Sequence, residues 1–141
     1  MQIGELAQHA HCSTETIRYY EKIGLLPEAQ RDANNYRTYK STHVERLVFI
    51  RNCRSLDMTH DEIRELLRVI SDPSAACQSV TTVIDEHLQH VKARLDELQH
   101  LKKQLVQLQQ ACAHEGTVDD CGILEHIINM TPLPDNQTHL G

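Results

Sequence analysis

The sequence predicts a mostly α fold: a winged helix-turn-helix head, a long helix that pairs antiparallel with a second copy as a coiled coil, and a cysteine-bearing C-terminal loop. Three observations predict it. Residues 3–24 read as two short helices joined by a tight turn. From Ser79 to Gln110 neither Gly nor Pro interrupts the chain. Cys77 stands at one end of that stretch, and Cys112 and Cys121 at the other. At ~1.5 Å per residue an unbroken helix puts Cys77 roughly 50 Å from Cys112. Thiolates on one metal ion sit within about 4 Å of each other, because metal–sulfur bonds are ~2.3 Å. A site using all three cysteines therefore needs a second copy, with Cys77 of one subunit beside Cys112 and Cys121 of its partner.

The elements follow in order. Ile3, Leu6, Ala7 and Ala10 have helical spacing, and Ser13 or Thr14 caps a second helix that runs through Arg18, Tyr19 and Tyr20 until Gly24 stops it. After Leu25-Leu26-Pro27, residues Arg31 to Tyr39 hold an Asx-rich turn and alternating Tyr, Arg and Thr, a hairpin or wing. Thr42 with Glu45, and Thr59 with Glu62, have the spacing of capping boxes for a third and a fourth helix. The third has Val44, Leu47, Val48 and Arg51 on one face, and the fourth carries Ile63, Leu66 and Leu67. These elements make a head over residues 1–70, and Ser71-Asp72-Pro73-Ser74 marks its boundary.

Residues 71–78 then form a linker and the start of the long helix, and 79–110 a coiled coil. Ile84, Val91, Leu98 and Leu105 recur every seven positions with Leu88 and Leu95 between them, before the seam drifts to Leu101 and Leu108 and meets Lys102 and Gln109. A lone helix would expose this stripe, so it needs a partner. Residues 111–130 form a loop and a short helical pattern at Ile123-Leu124 and Ile127-Ile128, and 131–141 a loose tail.

Composition narrows the function. The 141 residues are 40% apolar, and the longest apolar run is Leu47 to Ile50, so no segment spans a membrane. The start of the chain lacks the features of a secretory signal, and five cysteines then point to a reducing, cytoplasmic setting and to metal or thiol chemistry rather than disulfides. The net charge of −6 is divided unevenly: residues 1–70 hold ten basic and ten acidic residues, and 71–141 hold four and ten. Within 16–54 the balance is eight basic against four acidic, a local excess suited to a phosphate backbone. No Ser-His-Asp order, paired catalytic carboxylates or phosphate-cradling glycine loop points to an enzyme.

Thr16, Arg18, Tyr19 and Tyr20 occupy the turns from which a recognition helix reaches base edges and phosphates. Asn35, Tyr36 and Arg37 at the wing, with Arg54, supply a second phosphate-facing surface. A helix-turn-helix pattern alone is equally compatible with ordinary core and surface roles for these residues, and the wing favours DNA.

The ordered set Ile3-Gly4-Glu5-Leu6-Ala7, Thr16-Ile17-Arg18-Tyr19-Tyr20-Glu21, Gly24-Leu25-Leu26-Pro27, Asn35-Tyr36-Arg37-Thr38-Tyr39 and Arg51-Asn52-Cys53-Arg54-Ser55-Leu56-Asp57-Met58 resembles the MerR family of transcription regulators. Nearly the whole chain fits. Ile84-Asp85-Glu86-His87, Val91-Lys92-Ala93-Arg94 and Cys121-Gly122-Ile123-Leu124 further resemble its cadmium- and lead-responsive branch. The resemblance implies a homodimer on a two-fold operator inside a promoter, repressing without metal and activating with it. In that family, inducer binding bends and underwinds an overlong promoter spacer so that RNA polymerase engages both promoter elements.

Three thiolates suit a soft ion. The family's monovalent sensors carry serine where Cys77 stands, so the resemblance implies a divalent ion: Cd(II) or Pb(II) first, with Zn(II) or Hg(II) as alternatives. His114, Asp119 or Asp120 offers a fourth ligand for tetrahedral zinc. His87 and His90, at i and i+3 on the helix, and His114 are auxiliary metal candidates, although exposed helix histidines are more often merely solvated. The tail has only His139, unlike the His-rich tails of cadmium sensors. Cys53 reads as a core residue and Cys12 as a turn residue. A thiol redox sensor on the same scaffold and a structural zinc clip in an interaction module are the rival readings.

Overall fold

A computed structural model of the chain describes residues 1–111 and 116–132. Cys112, His114 and most of the tail, with His139, lie outside the described residues. The chain divides into two compact units, Met1–His87 and Leu88–Gly141.

The first unit opens with α1 (Ile3–His9) and α2 (Thr14–Lys22). Ser13 caps α2, its hydroxyl oxygen accepting from the Thr16 amide at 3.1 Å. Gly24, at φ +80°, ends the helix in a backbone conformation that costs glycine little. The wing pairs β1 (Gln30–Arg31) with β2 (Arg37–Thr38) antiparallel, with Gln30 opposite Thr38 and Arg31 opposite Arg37. Strands this short leave the turn to be held by side chains. Asp32 Oδ1 accepts the amides of Asn34 and Tyr36, and Asn35 takes the left-handed conformation at φ 66° that asparagine tolerates.

Helix α3 (Ser41–Ser55) differs from the sequence expectation. Thr42 does not cap it: Lys40 is the N-cap residue, and its amide donates to His43 Nδ1 at 3.0 Å. The buried face is also rotated. His43, Leu47, Ile50 and Cys53 point inward, while Val48 is exposed. Sequence spacing had placed Val44, Leu47, Val48 and Arg51 together, and a polar His43 hid the true register. Helix α4 (His60–Ile70) keeps the predicted box, with Thr59 and Glu62 each accepting the other's amide.

The core of this unit joins all four helices. Leu6, Ile17, Leu25, Leu26, Leu47, Ile50, Met58 and Ile63 are fully buried, each worth on the order of 2 kcal/mol of apolar transfer. The first turns of α5 (Cys77–Gln110) complete it, Val83 buried in the same cluster and Val80 packed against it.

The second unit contains the rest of α5, a 3₁₀ turn at Val118–Asp120 and α6 (Gly122–Ile128). Along α5, Leu88, Val91, Leu95 and Leu105, all on the predicted heptad stripe, are exposed, and so is Val106 beside it. Gln104, Gln107, Leu108 and Ala111 from α5 and His126 and Met130 from the α6 segment line one small cavity. Among the described residues no helix is long and apolar enough to cross a membrane.

Candidate DNA interface and metal ligands

The head presents a polar edge built from α2 and the wing. Arg18 and Tyr19 are exposed on α2, and Asn35, Tyr36 and Arg37 are exposed at the wing. Thr16 is half-buried, its hydroxyl 2.9 Å from that of Ser13, so part of its polar capacity is spent at the cap. Tyr20 is turned inward and only 7% exposed, which makes it a core residue rather than a surface contact. Its ring meets His60 edge-on at 6.0 Å, and the Tyr19 ring lies tilted against the same imidazole at 5.7 Å. Arg54 is exposed, but its guanidinium donates to the Met58 carbonyl at 2.6 Å and closes the α3–α4 turn.

A residue that sequence reasoning did not single out holds this edge together. Glu21 on α2 accepts from the Tyr39 hydroxyl at 2.5 Å and lies 3.8 Å from the Arg37 guanidinium. Burial, then the Glu21 carboxylate, pushes the Tyr39 hydroxyl pKa up to about 12. The interaction ties α2 to the wing across 18 positions of sequence, and no local pattern announces it.

The cysteines separate into two kinds. Cys53 is buried and Cys12 half-buried, and burial raises both thiol pKa values, at Cys12 against the opposing pull of Arg51. Raised thiols hold little thiolate and are poor redox centres. Cys77, the first residue of α5, is exposed. Cys121 sits between the 3₁₀ turn and α6, its amide donating to the Val118 carbonyl and its carbonyl accepting from Glu125. Cys77 belongs to the first unit and Cys121 to the second.

His87 has specific partners. Its Nε2 lies 2.8 Å from the Leu56 carbonyl, and its Nδ1 3.0 Å from Glu62 Oε2. Both side chains are largely shielded, 13% and 10% exposed. Glu62 was visible in the sequence only as a helix cap. His90 follows one turn along α5.

Residues 1–69 match the model of MerR HTH family regulatory proteins, and residues 44–108 match the model described as MerR, DNA binding. The HTH-type transcriptional regulator ZntR of Escherichia coli (strain K12) is 40% identical over 128 residues, covering 88% of this chain and 89% of its own. The chain belongs to the MerR family. Solved members share its structure. PbrR691 from Ralstonia metallidurans CH34, in complex with lead(II), superposes with a TM-score of 0.82 at 42% identity, over 90% of this chain and 98% of that one. MerR from Bacillus megaterium MB1, in complex with mercury(II) ion, gives a TM-score of 0.72 at 28% identity, over 92% of this chain and all of the other. MerR-family membership fits the helix-turn-helix head, and the relatives are transcription regulators rather than enzymes.

Proposed function

We propose that the protein is a metal-responsive transcription regulator that binds a promoter as a homodimer and activates heavy-metal resistance genes when Cd(II) or Pb(II) binds. The observation that carries this reading is the position of Cys77, an exposed thiol opening a helix of 34 residues whose far end precedes Cys112 and Cys121. Along that helix runs an exposed apolar stripe that a second copy would cover. Antiparallel pairing brings each end of one helix to the opposite end of the other, so Cys77 of one chain reaches Cys112 and Cys121 of its partner. Such a site is made of two chains and reports on their relation.

The donor set fits a thiophilic ion, which thiolates select over hard cations. The similarity to lead(II)-bound PbrR691 favours the lead and cadmium end of the range, with Zn(II) and Hg(II) as the alternatives. On DNA, the exposed faces of Arg18, Tyr19, Tyr36 and Arg37 would enter the groove and grip flanking phosphates. Metal ligation would choose between two dimer geometries, and the output would be a change in promoter shape that RNA polymerase reads.

His87 supports an auxiliary ion. A backbone carbonyl only accepts, so Nε2 carries a proton, and in the neutral ring the Nδ1 lone pair then faces the Glu62 carboxylate at 3.0 Å. Two acceptors this close need a proton or a cation between them, and a ring nitrogen anchored through its other N–H is the usual posture of a metal-ligating histidine. His90, at i+3, is a further ligand for this ion, and His114 remains a candidate from the sequence.

A competition titration on the reduced dimer with Cd(II), Pb(II), Zn(II) and Hg(II), read by thiolate-to-metal absorption, alongside transcription from the cognate promoter, tests the reading. Thiolate bands with Cd(II) and Pb(II) and transcription that rises with them are expected. An iron–sulfur chromophore, or transcription indifferent to all four ions, would overturn it.

A further inference from the structure

We propose that Arg64 is a positioning residue for DNA recognition: it clamps the exit of α2 to α4 and so fixes where Arg18 and Tyr19 point, reading no base itself. The inference rests on the reading of α2 as the helix that meets base edges. Arg64, exposed on α4, donates from Nη2 to the Ile23 carbonyl at 2.7 Å and from Nη1 to Asp61 Oδ1 at 2.9 Å. The first bond crosses 41 positions of sequence. The second lies within α4 and orients the guanidinium. One planar fork serves both acceptors in fixed directions, which the compact ammonium of a lysine does not reproduce.

The clamped carbonyl stands where α2 ends. Ile23 is the C-cap of α2, and in the turn after it the Tyr20 carbonyl accepts from Leu25 and Leu26 and the Glu21 carbonyl from Gly24. The Ile23 carbonyl accepts instead from Arg64, and the Leu25 carbonyl from Arg46 Nη1 of α3 at 3.3 Å. A cation here also meets the negative end of the α2 dipole. The other end of the clamp is fixed: Ile63 is fully buried on α4, and Glu62 holds His87 of α5. With nine residues, α2 is too short to keep its own direction without such tertiary contacts. Tyr19 and Arg18 precede Ile23 by four and five positions, on the order of 6–7.5 Å along the axis. A shift at the exit therefore reaches both side chains, and hydrogen bonds to base edges keep to ~2.7–3.2 Å.

The test uses the full-length, metal-free protein and two labelled duplexes, one selected by the parent from random sequence and one a scramble of the same composition. Fluorescence anisotropy gives the ratio of the two affinities. Arg64→Lys keeps the charge and is expected to lower that ratio by about 10-fold, the scale of one base contact, with affinity for the scrambled duplex and its salt slope unchanged. Arg68→Lys, one turn along and paired with Glu65 on α4 itself, should match the parent. A parental ratio in Arg64→Lys, while Arg18→Ala loses it, overturns the clamp and leaves the recognition-helix reading standing. A parental ratio in Arg18→Ala overturns both together. An equal fall on the two duplexes in Arg64→Lys, the mark of a phosphate contact or of lost folded protein, overturns the clamp as well.

A second measurement covers the case in which Arg64→Lys fails to fold, and it uses the parent with isotope-labelled arginine. A guanidinium held at both Nη1 and Nη2 turns slowly about its Nε–Cζ bond, so Arg64 should give two separate Nη signals in nuclear magnetic resonance, where the exposed Arg18 gives one averaged signal. A single averaged Nη signal from Arg64 overturns the proposal.

Discussion

The Tyr39 hydroxyl donates to the Glu21 carboxylate at 2.5 Å, binding the end of the wing to the helix proposed to read DNA. A two-stranded wing with two residues per strand has little stability of its own, so its position is set by such side-chain contacts. Tyr39→Phe removes one hydrogen bond to a charged acceptor and leaves Glu21 shielded. It should destabilise the head by about 1–3 kcal/mol in denaturant titration and weaken operator binding. Unchanged stability would remove the bond's structural role.

The same pair gives a pH dependence. The Tyr39 pKa is raised in the folded chain to about 12, against an ordinary value of 10.0. The neutral hydroxyl is therefore favoured by folding, so its stabilisation is complete below pH ~10 and lost as pH rises through ~12. Denaturation midpoints should fall between those limits, and the fall should be smaller in Tyr39→Phe.

Cys77→Ser should abolish transcriptional induction by cadmium or lead while leaving metal-free operator binding intact. Gel-shift and promoter-run assays on one preparation separate the two. A fully inducible mutant would remove the inter-subunit site.

Arg18→Ala deletes an exposed guanidinium from α2. Operator affinity should drop by about 1–3 kcal/mol, the usual worth of a base-reading arginine, whether or not metal is present. Fluorescence anisotropy at two salt concentrations measures it, and unchanged affinity would contradict the recognition-helix assignment.

Leu95→Glu places a charge in the middle of the exposed stripe on α5. Sedimentation should show the dimer shifted to monomer, with operator binding lost in parallel because a two-fold operator needs two heads. A stable dimer would mean that the stripe is not the seam.

What the sequence made legible was local. Ser13 as a cap, Gly24 as a stop, the Thr59–Glu62 box and the Asx turn at Asp32 each act within a few residues, and each is where the spacing put it. The heptad stripe was legible because its period recurs from Ile84 to Leu105. Long-range contacts were not. Glu21 with Tyr39 and Glu62 with His87 pair residues that no period links. The register of α3 was misread because His43, a polar residue, occupies the inward face and Val48, an apolar one, faces out.

The stripe on α5 also bears on partner choice. A chain that must pair through exposed leucines can, in a cell holding several relatives with similar helices, pair with the wrong one. Lys102 and Gln109 interrupt the stripe late in α5, where heptad spacing calls for apolar residues. A foreign helix offering only leucines opposite Lys102 would strip water from an ammonium group without replacing it. The two polar interruptions thus weigh against a wholly apolar partner helix at that end of α5.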